Sequence, residues 1–235
     1  TIVARLAAAL LLTQPRGLFV LEQGWTEPIA LLMLACTVFA MLRVPSLAPW
    51  AGGLLVVTKQ YLAFAGVLFW RFAAGRRDTK GVLVRAALVA AVVTVPFFLW
   101  QPRAFVESVV LLQTREPFRI DSLSYLSWAA RHEWGAGSFL WAIGAAAAAL
   151  LVGIGLTPNS AGGFAASLAL SSFASFAFGS KAFCNYYFFV AGALCCAVAA
   201  LDTGGPSPDL SLTSARTSRP RGTLPRSSKR AVPPR

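Results

Sequence analysis

The sequence predicts an all-α protein, a polytopic transmembrane helical bundle of about seven membrane segments with an external interfacial loop and a disordered basic tail. Hydrophobic residues make up 57% of the 235-residue chain and charged ones only 13%, against about 25% charged in a soluble domain. The apolar residues fall in blocks near the ~20 residues needed to cross a bilayer, separated by short polar punctuation and one long polar interval. The net charge is +12 and is densest at the end. Residues 202–235 carry Arg216, Arg219, Arg221, Arg226, Lys229, Arg230 and Arg235 among many Pro and Ser, a composition that cannot bury a core. The chain thus divides into a membrane region, 1–201, and a basic tail, 202–235. A basic tail directly after a membrane helix marks the cytoplasmic side and meets anionic lipid rather than nucleic acid.

In chain order, Ile2 to Thr13 reads as the end of an apolar helix with Arg5 inside it. It lacks the basic start and small-residue cleavage site of a signal peptide, so the chain is expected to be the C-terminal part of a longer protein. A polar interval, Gln14 to Glu27, precedes Pro28 to Leu42, where Pro28 suits the first turn of a helix. Leu47 to Phe72 is an apolar run broken by Lys59. The cluster Arg71, Arg76, Arg77 and Lys80 places the next loop in the cytoplasm. Val82 to Trp100 is a clean span. Pro102 to Gly137 is the external interval: Ala104 to Gln113 is too short to span and suits a surface helix, and the charges and tryptophans from Arg115 to Trp134 suit an interfacial cap. Ser138 to Leu156, Phe164 to Phe178 and Phe183 to Leu201 complete the bundle.

Lys59 organises the rest. A charged side chain at bilayer depth costs at least ~2.5 kcal/mol on insertion scales, so it needs a carboxylate, a phosphate or a substrate in a wet cavity, unless it snorkels to the interface. Two topologies are open. If Leu47 to Phe72 crosses once, Glu22 to Glu27 is cytoplasmic and cannot meet the external loop. If Lys59 breaks the run into two short helices that enter and return on one side, every polar stretch meets on the outer side. That arrangement needs non-helical backbone at membrane depth, which is tolerated only against a cavity or protein wall; it is the one favoured.

Gln23-Gly24 before a short apolar helix, then Ala51-Gly52-Gly53-Leu54-Leu55-Val56-Val57-Thr58-Lys59-Gln60-Tyr61 and an aliphatic stretch closed by basic residues, resembles the GT-C superfamily, in particular its alpha-mannosyltransferase-like branch. The resemblance covers roughly residues 1 to 110 and, more loosely, 181 to 199. It implies a multi-pass glycosyltransferase, of a bacterial plasma membrane, that moves a sugar such as mannose from a polyprenyl-phosphate-linked donor to a glycan, lipid or protein acceptor at the outer face, with membrane lipids as further partners and no cofactor. It implies that the catalytic carboxylate lies upstream of Thr1. Within the chain, Lys59 is the candidate for the lipid phosphate, with Arg119 and Lys181 as second cations. Glu22, Glu27 and Asp121 are the candidate carboxylates; Glu22 and Glu27 orient an acceptor or form a salt bridge with Lys59, and Asp121 alternatively caps a helix beginning at Ser122. Gln23, Gln60, Tyr61, Asn185 and Tyr186 are candidate substrate contacts; Tyr186, at the start of the last span, alternatively belongs to an aromatic belt, as does Trp25. His132, the one histidine, is read as exposed at the interface. Cys36, Cys184, Cys195 and Cys196 are read as small buried hydrophobes, and no metal cluster can be assembled. The competing reading is a polytopic transporter or lipid-linked-sugar flippase, because discontinuous helices with midplane charges are also a transporter device; the inverted repeats that would favour it are not evident. A silent membrane scaffold is a third.

Overall fold

The computed structural model describes residues 2–74, 78–115, 117–135, 137–138 and 140–201. The tail expected to be disordered, residues 202–235, and Arg76 and Arg77 of the basic loop lie outside the described residues. Among the described residues the chain is all helical, with no strand. In order come α1 (Ile2–Thr13), α2 (Pro15–Glu22), α3 (Glu27–Arg43) and α4 (Ala48–Thr58), followed by a 3-10 turn (Gln60–Leu62), α5 (Ala63–Ala74) and α6 (Thr79–Trp100). The interval after α6 holds α7 (Pro102–Val106), a π turn (Glu107–Leu111), α8 (Leu112–Arg115) and α9 (Tyr125–Arg131). α10 (Leu140–Leu156), α11 (Ala161–Ala177) and α12 (Cys184–Leu201) close the fold.

Local chemistry sets these boundaries. Pro15 lacks the N–H that would continue α1, and the axis turns by 58° between α1 and α2. Pro28 lies in the first turn of α3, as the sequence predicts. Gly24, at φ 65°, takes the left-handed conformation that L side chains resist and turns the chain from α2 into α3. α6 starts three residues before its apolar run because Asp78 accepts a hydrogen bond from Gly81 N at 3.1 Å and caps the helix. Ser160 caps α11 in the same way through Gly163 N.

α6 and α12 are each long and apolar enough to cross a membrane, and α1 with α2 makes a third if the bent pair is one span. α4, α10 and α11 are shorter apolar helices. α11 is central, packed between α10 and α12, and Phe164, Ala165, Leu168, Ala169 and Phe176 on it are buried. α12 carries the core on through Phe189 and Ala193 to α3.

The stretch through Lys59 is a helical hairpin. A methyl group added at Gly52 would sit 2.6 Å from the Phe69 ring, and one at Gly66 would sit 3.9 Å from Val56. A straight helix would separate Gly52 from Phe69 by roughly 25 Å at about 1.5 Å per residue. The two arms therefore run antiparallel. The backbone at Lys59 is extended, with φ −151° and ψ 145°, and Leu62 N closes the turn on Lys59 O at 3.0 Å. α4 has 11 residues, roughly 16 Å, about half of a ~30 Å hydrocarbon core. The expected break at Lys59 is found, and the chain returns toward the end it came from.

Hydrogen bonds gather at two opposite ends of this hairpin. At its base, Arg71 on α5 donates to Thr157 O at 2.8 Å, and Asn159 donates back to Arg71 O at 3.1 Å, which ties the α10 to α11 turn to α5. At its tip, Arg119 N bonds Ser180 O at 3.2 Å, Leu123 N bonds Ala182 O at 2.6 Å and Tyr187 Oη donates to Leu123 O at 2.5 Å. Residues 119–123 are thereby clasped onto the α11 to α12 loop and the start of α12. The helix that follows them starts at Tyr125, where the Ser124 side chain accepts from Ser127 N, so the capping role considered for Asp121 falls to a serine three residues on. Ser122, Ser124 and Ser127 are buried and bonded to one another.

Two measurements check the hairpin. Single cysteines at Ser46 and Lys80, in protein lacking the native cysteines, are expected to label from the same side of membrane vesicles, and one at Ile120 from the other; labelling of Ser46 and Lys80 from opposite sides would mean a straight crossing. Gly52→Val, which forces a side chain into Phe69, is expected to cost about 1–3 kcal/mol of stability by overpacking, whereas Gly66→Ala, with its nearest neighbour at 3.9 Å, leaves the thermal midpoint nearly unchanged.

Candidate functional site

Lys59 is held at the hairpin tip by Glu27, the first residue of α3. The Nζ to Oε1 distance is 3.1 Å, with the Glu27 side chain 1% exposed and that of Lys59 24% exposed. Two features favour the buried carboxylate: the ammonium beside it and its place in the first turn of α3, where the helix dipole presents its positive end. Of the partners the sequence left open for Lys59, a carboxylate is the one it meets.

Lys59 is also part of the wall of two cavities. One, of about 280 Å³, is bounded by Gln60, Tyr61, Phe64, Phe176, Lys181 and Tyr186, with Ser175 and Ser180 on the α11 side and Ala142 and Ile143 on α10. Its wall combines aromatic and aliphatic side chains with Lys59, Gln60, Lys181 and the two serines. The Tyr61 ring packs edge-on to Phe176, Tyr186 and Phe189 at centroid distances of 5.0, 5.9 and 5.6 Å, and its buried Oη has no hydrogen-bond partner among the described residues. The second cavity, of about 510 Å³, is bounded by Trp25, Thr26, Glu27, Arg119, Phe183, Asn185 and Tyr186. Asn185 is 7% exposed, and its Oδ1 likewise lacks a partner there.

Most of the residues singled out in the sequence converge here, although they are spread from position 27 to position 186. Lys59, Gln60, Tyr61, Lys181 and Tyr186 line the first cavity, and Glu27, Lys59, Arg119, Asn185 and Tyr186 the second. Gln23 and Glu22 are exposed at the end of α2 and line neither cavity. Asp121 lies beside the second cavity and faces Arg119, which donates to both carboxylate oxygens at 3.0 and 2.9 Å. Those hydrogen bonds hold the Asp121 carboxyl below the usual carboxylate range, which makes it a poor base near neutral pH. Arg119 also stacks on the Phe183 ring, 5.3 Å from its centroid. His132 is exposed, with Nδ1 2.8 Å from Trp128 O. Among the described residues no group of three or more His, Cys, Asp or Glu side chains is placed to hold a metal. Thr26, Ser175, Ser180 and Phe183 line the cavities without having been singled out; hydroxyls and a phenylalanine in apolar surroundings carry no sequence signal of their own.

In comparisons with known proteins, the chain matches no protein family, no curated protein and no solved structure.

A double-mutant cycle checks the ion pair. Lys59→Met alone strands a buried carboxylate, and breaking a buried pair costs about 3–5 kcal/mol; Glu27→Gln alone is expected to cost less, because Lys59 is part exposed. Lys59→Met with Glu27→Gln removes both charges and is expected to regain most of the stability lost by the lysine variant. Thermal midpoints in detergent that simply add would show the two residues uncoupled.

Proposed function

We propose that the chain forms part of a multi-pass membrane glycosyltransferase of the GT-C kind, taking its sugar from a polyprenyl-phosphate carrier at the tip end of the hairpin. The observation that carries this reading is the position of Lys59: a cation at the end of a half-length helical hairpin, fixed by a buried carboxylate and shared by the walls of two cavities. Several features support it. The smaller cavity joins an apolar wall to Lys59 and Lys181, the combination that suits a lipid chain ending in a phosphate. An ammonium has three donors; Glu27 takes one, leaving two for phosphate oxygens.

In the proposed reaction the acceptor hydroxyl displaces the carrier phosphate from the anomeric carbon, and the leaving phosphate gains negative charge as that bond breaks. Lys59 stabilises this charge, which grows in the transition state. Glu27 positions the ammonium. The acceptor proton passes to a carboxylate base, which the GT-C resemblance implies.

Sugar transfer from lipid donor to acceptor, measured in membranes containing the full-length protein, tests this. Lys59→Met is expected to lower turnover on the order of 100-fold, as loss of other charge-stabilising groups does. Lys59→Arg recovers part, because a planar fork replaces a compact ammonium poorly. The double variant Lys59→Met with Glu27→Gln separates chemistry from folding: it should be stable and still inactive. Normal transfer by that double variant would remove the phosphate-binding role. A hairpin with a charged tip also suits the transporter reading; movement of lipid-linked sugar across vesicle membranes without transfer would favour it.

A further inference from the structure

We propose that the cavity between Glu27, Arg119 and Asn185 is a binding site for a neutral polyhydroxylated ring, a single sugar unit. Its use in transfer rests on the function proposed above; its capacity to bind a glycoside does not.

Charge comes first. Both cations on the wall already hold a carboxylate, Lys59 with Glu27 at 3.1 Å and Arg119 with Asp121 at 2.9 and 3.0 Å. The paired charges on this wall cancel, so it offers no net charge to favour an ion, whereas a neutral hydroxyl can bond to groups that are already paired, since a carboxylate has further lone pairs and a guanidinium further N–H groups. Asn185 then selects for hydroxyls among neutral ligands. It is 7% exposed, its Oδ1 has no partner among the described residues, and a buried acceptor without a partner costs about as much as a lost hydrogen bond. A ligand hydroxyl would satisfy it, and the same amide offers N–H donors, so it can meet a hydroxyl in either sense. Thr26 adds a hydroxyl, and Trp25 and Phe183 add aromatic rings. Aromatic surface with a few convergent polar groups is the usual lining of a small-molecule site.

Position comes second. Lys59 and Tyr186 belong to both cavities, so a molecule with an apolar chain, a phosphate and a sugar in that order would lie with its phosphate at Lys59 and its sugar on the Asn185 side.

The test is ligand-observed saturation-transfer NMR on the full-length protein in nanodiscs, with the methyl glycosides of mannose, glucose and galactose as probes. At least one is expected to give a saturable signal, and Asn185→Leu to weaken that binding more than tenfold. The leucine removes an unpartnered acceptor, so its thermal midpoint should not fall. If Asn185→Leu does not accumulate in membranes, Trp25→Leu takes its place with the same expected loss. No binding by any of the three glycosides, or binding that survives the substitution, overturns the proposal. Glycoside binding by a protein whose Lys59→Met and Glu27→Gln double variant transfers sugar normally would leave this site standing and remove the phosphate role.

Discussion

The ion pair between Lys59 and Glu27 is the interaction on which the tip of the structure depends. A buried unpaired carboxylate costs several kcal/mol, so Glu27, 1% exposed, depends on the part-exposed Lys59, and the pair fixes both residues. Lys59 ends α4 and Glu27 begins α3, so satisfying the pair sets α3 antiparallel to the first arm of the hairpin. It also brings the polar turn after α2 to the level of the hairpin tip. The α11 to α12 loop, the start of α12 and residues 117–124 then close around the same point.

What allows the hairpin to exist is the opposite kind of contact. Gly52 lies against Phe69 on the returning arm, and Gly53 lies so close to the Ala86 carbonyl and Val89 of α6 that a side chain would have no room. Without much hydrophobic drive between helices in lipid, close backbone approach is a main source of helix association. One glycine serves the hairpin and its neighbour serves α6, so a single two-residue step in α4 sets two interfaces. Arg71 completes the base by bonding the α10 to α11 turn, which keeps the charge at the end of α5 in hydrogen-bonded contact.

The sequence shows the break at Lys59 because a charge in an apolar run has few physical explanations. It does not by itself show that the chain turns back. The deciding information is which faces of α4 the two glycines occupy and what they touch, and both a straight span and a hairpin use glycine for close packing. Glu27 is legible as a partner for Lys59 because few carboxylates lie within reach of the membrane part, yet Glu22 satisfies the same composition argument and ends up exposed. The distinction comes from the turn at Gly24, which places Glu27 on the first turn of α3 and leaves Glu22 on the outer end of α2. Asp121 shows the limit of local rules. It precedes a serine-rich stretch that suits a cap, but Arg119 two residues earlier offers two charged hydrogen bonds, and these outweigh one neutral bond to a helix N–H.

The two cavities differ in a way that follows from which helices wall them. On the α10 and α11 side, apolar helices supply Ala142, Ile143 and Phe176, because residues on those helices are drawn from an apolar alphabet. On the other side the wall comes from the turn before α3, from Arg119 in the interval between α6 and α10, and from the start of α12. Those segments are rich in charge, amide and aromatic groups because they lie where helices end and backbone groups need partners. Lys59 sits where these two kinds of wall meet, since α4 ends there and the chain turns back. An apolar cavity and a polar one that share a cation are therefore a consequence of ending α4 at Lys59, and an amphiphile whose charge lies between its apolar and polar parts is the ligand that such a junction fits.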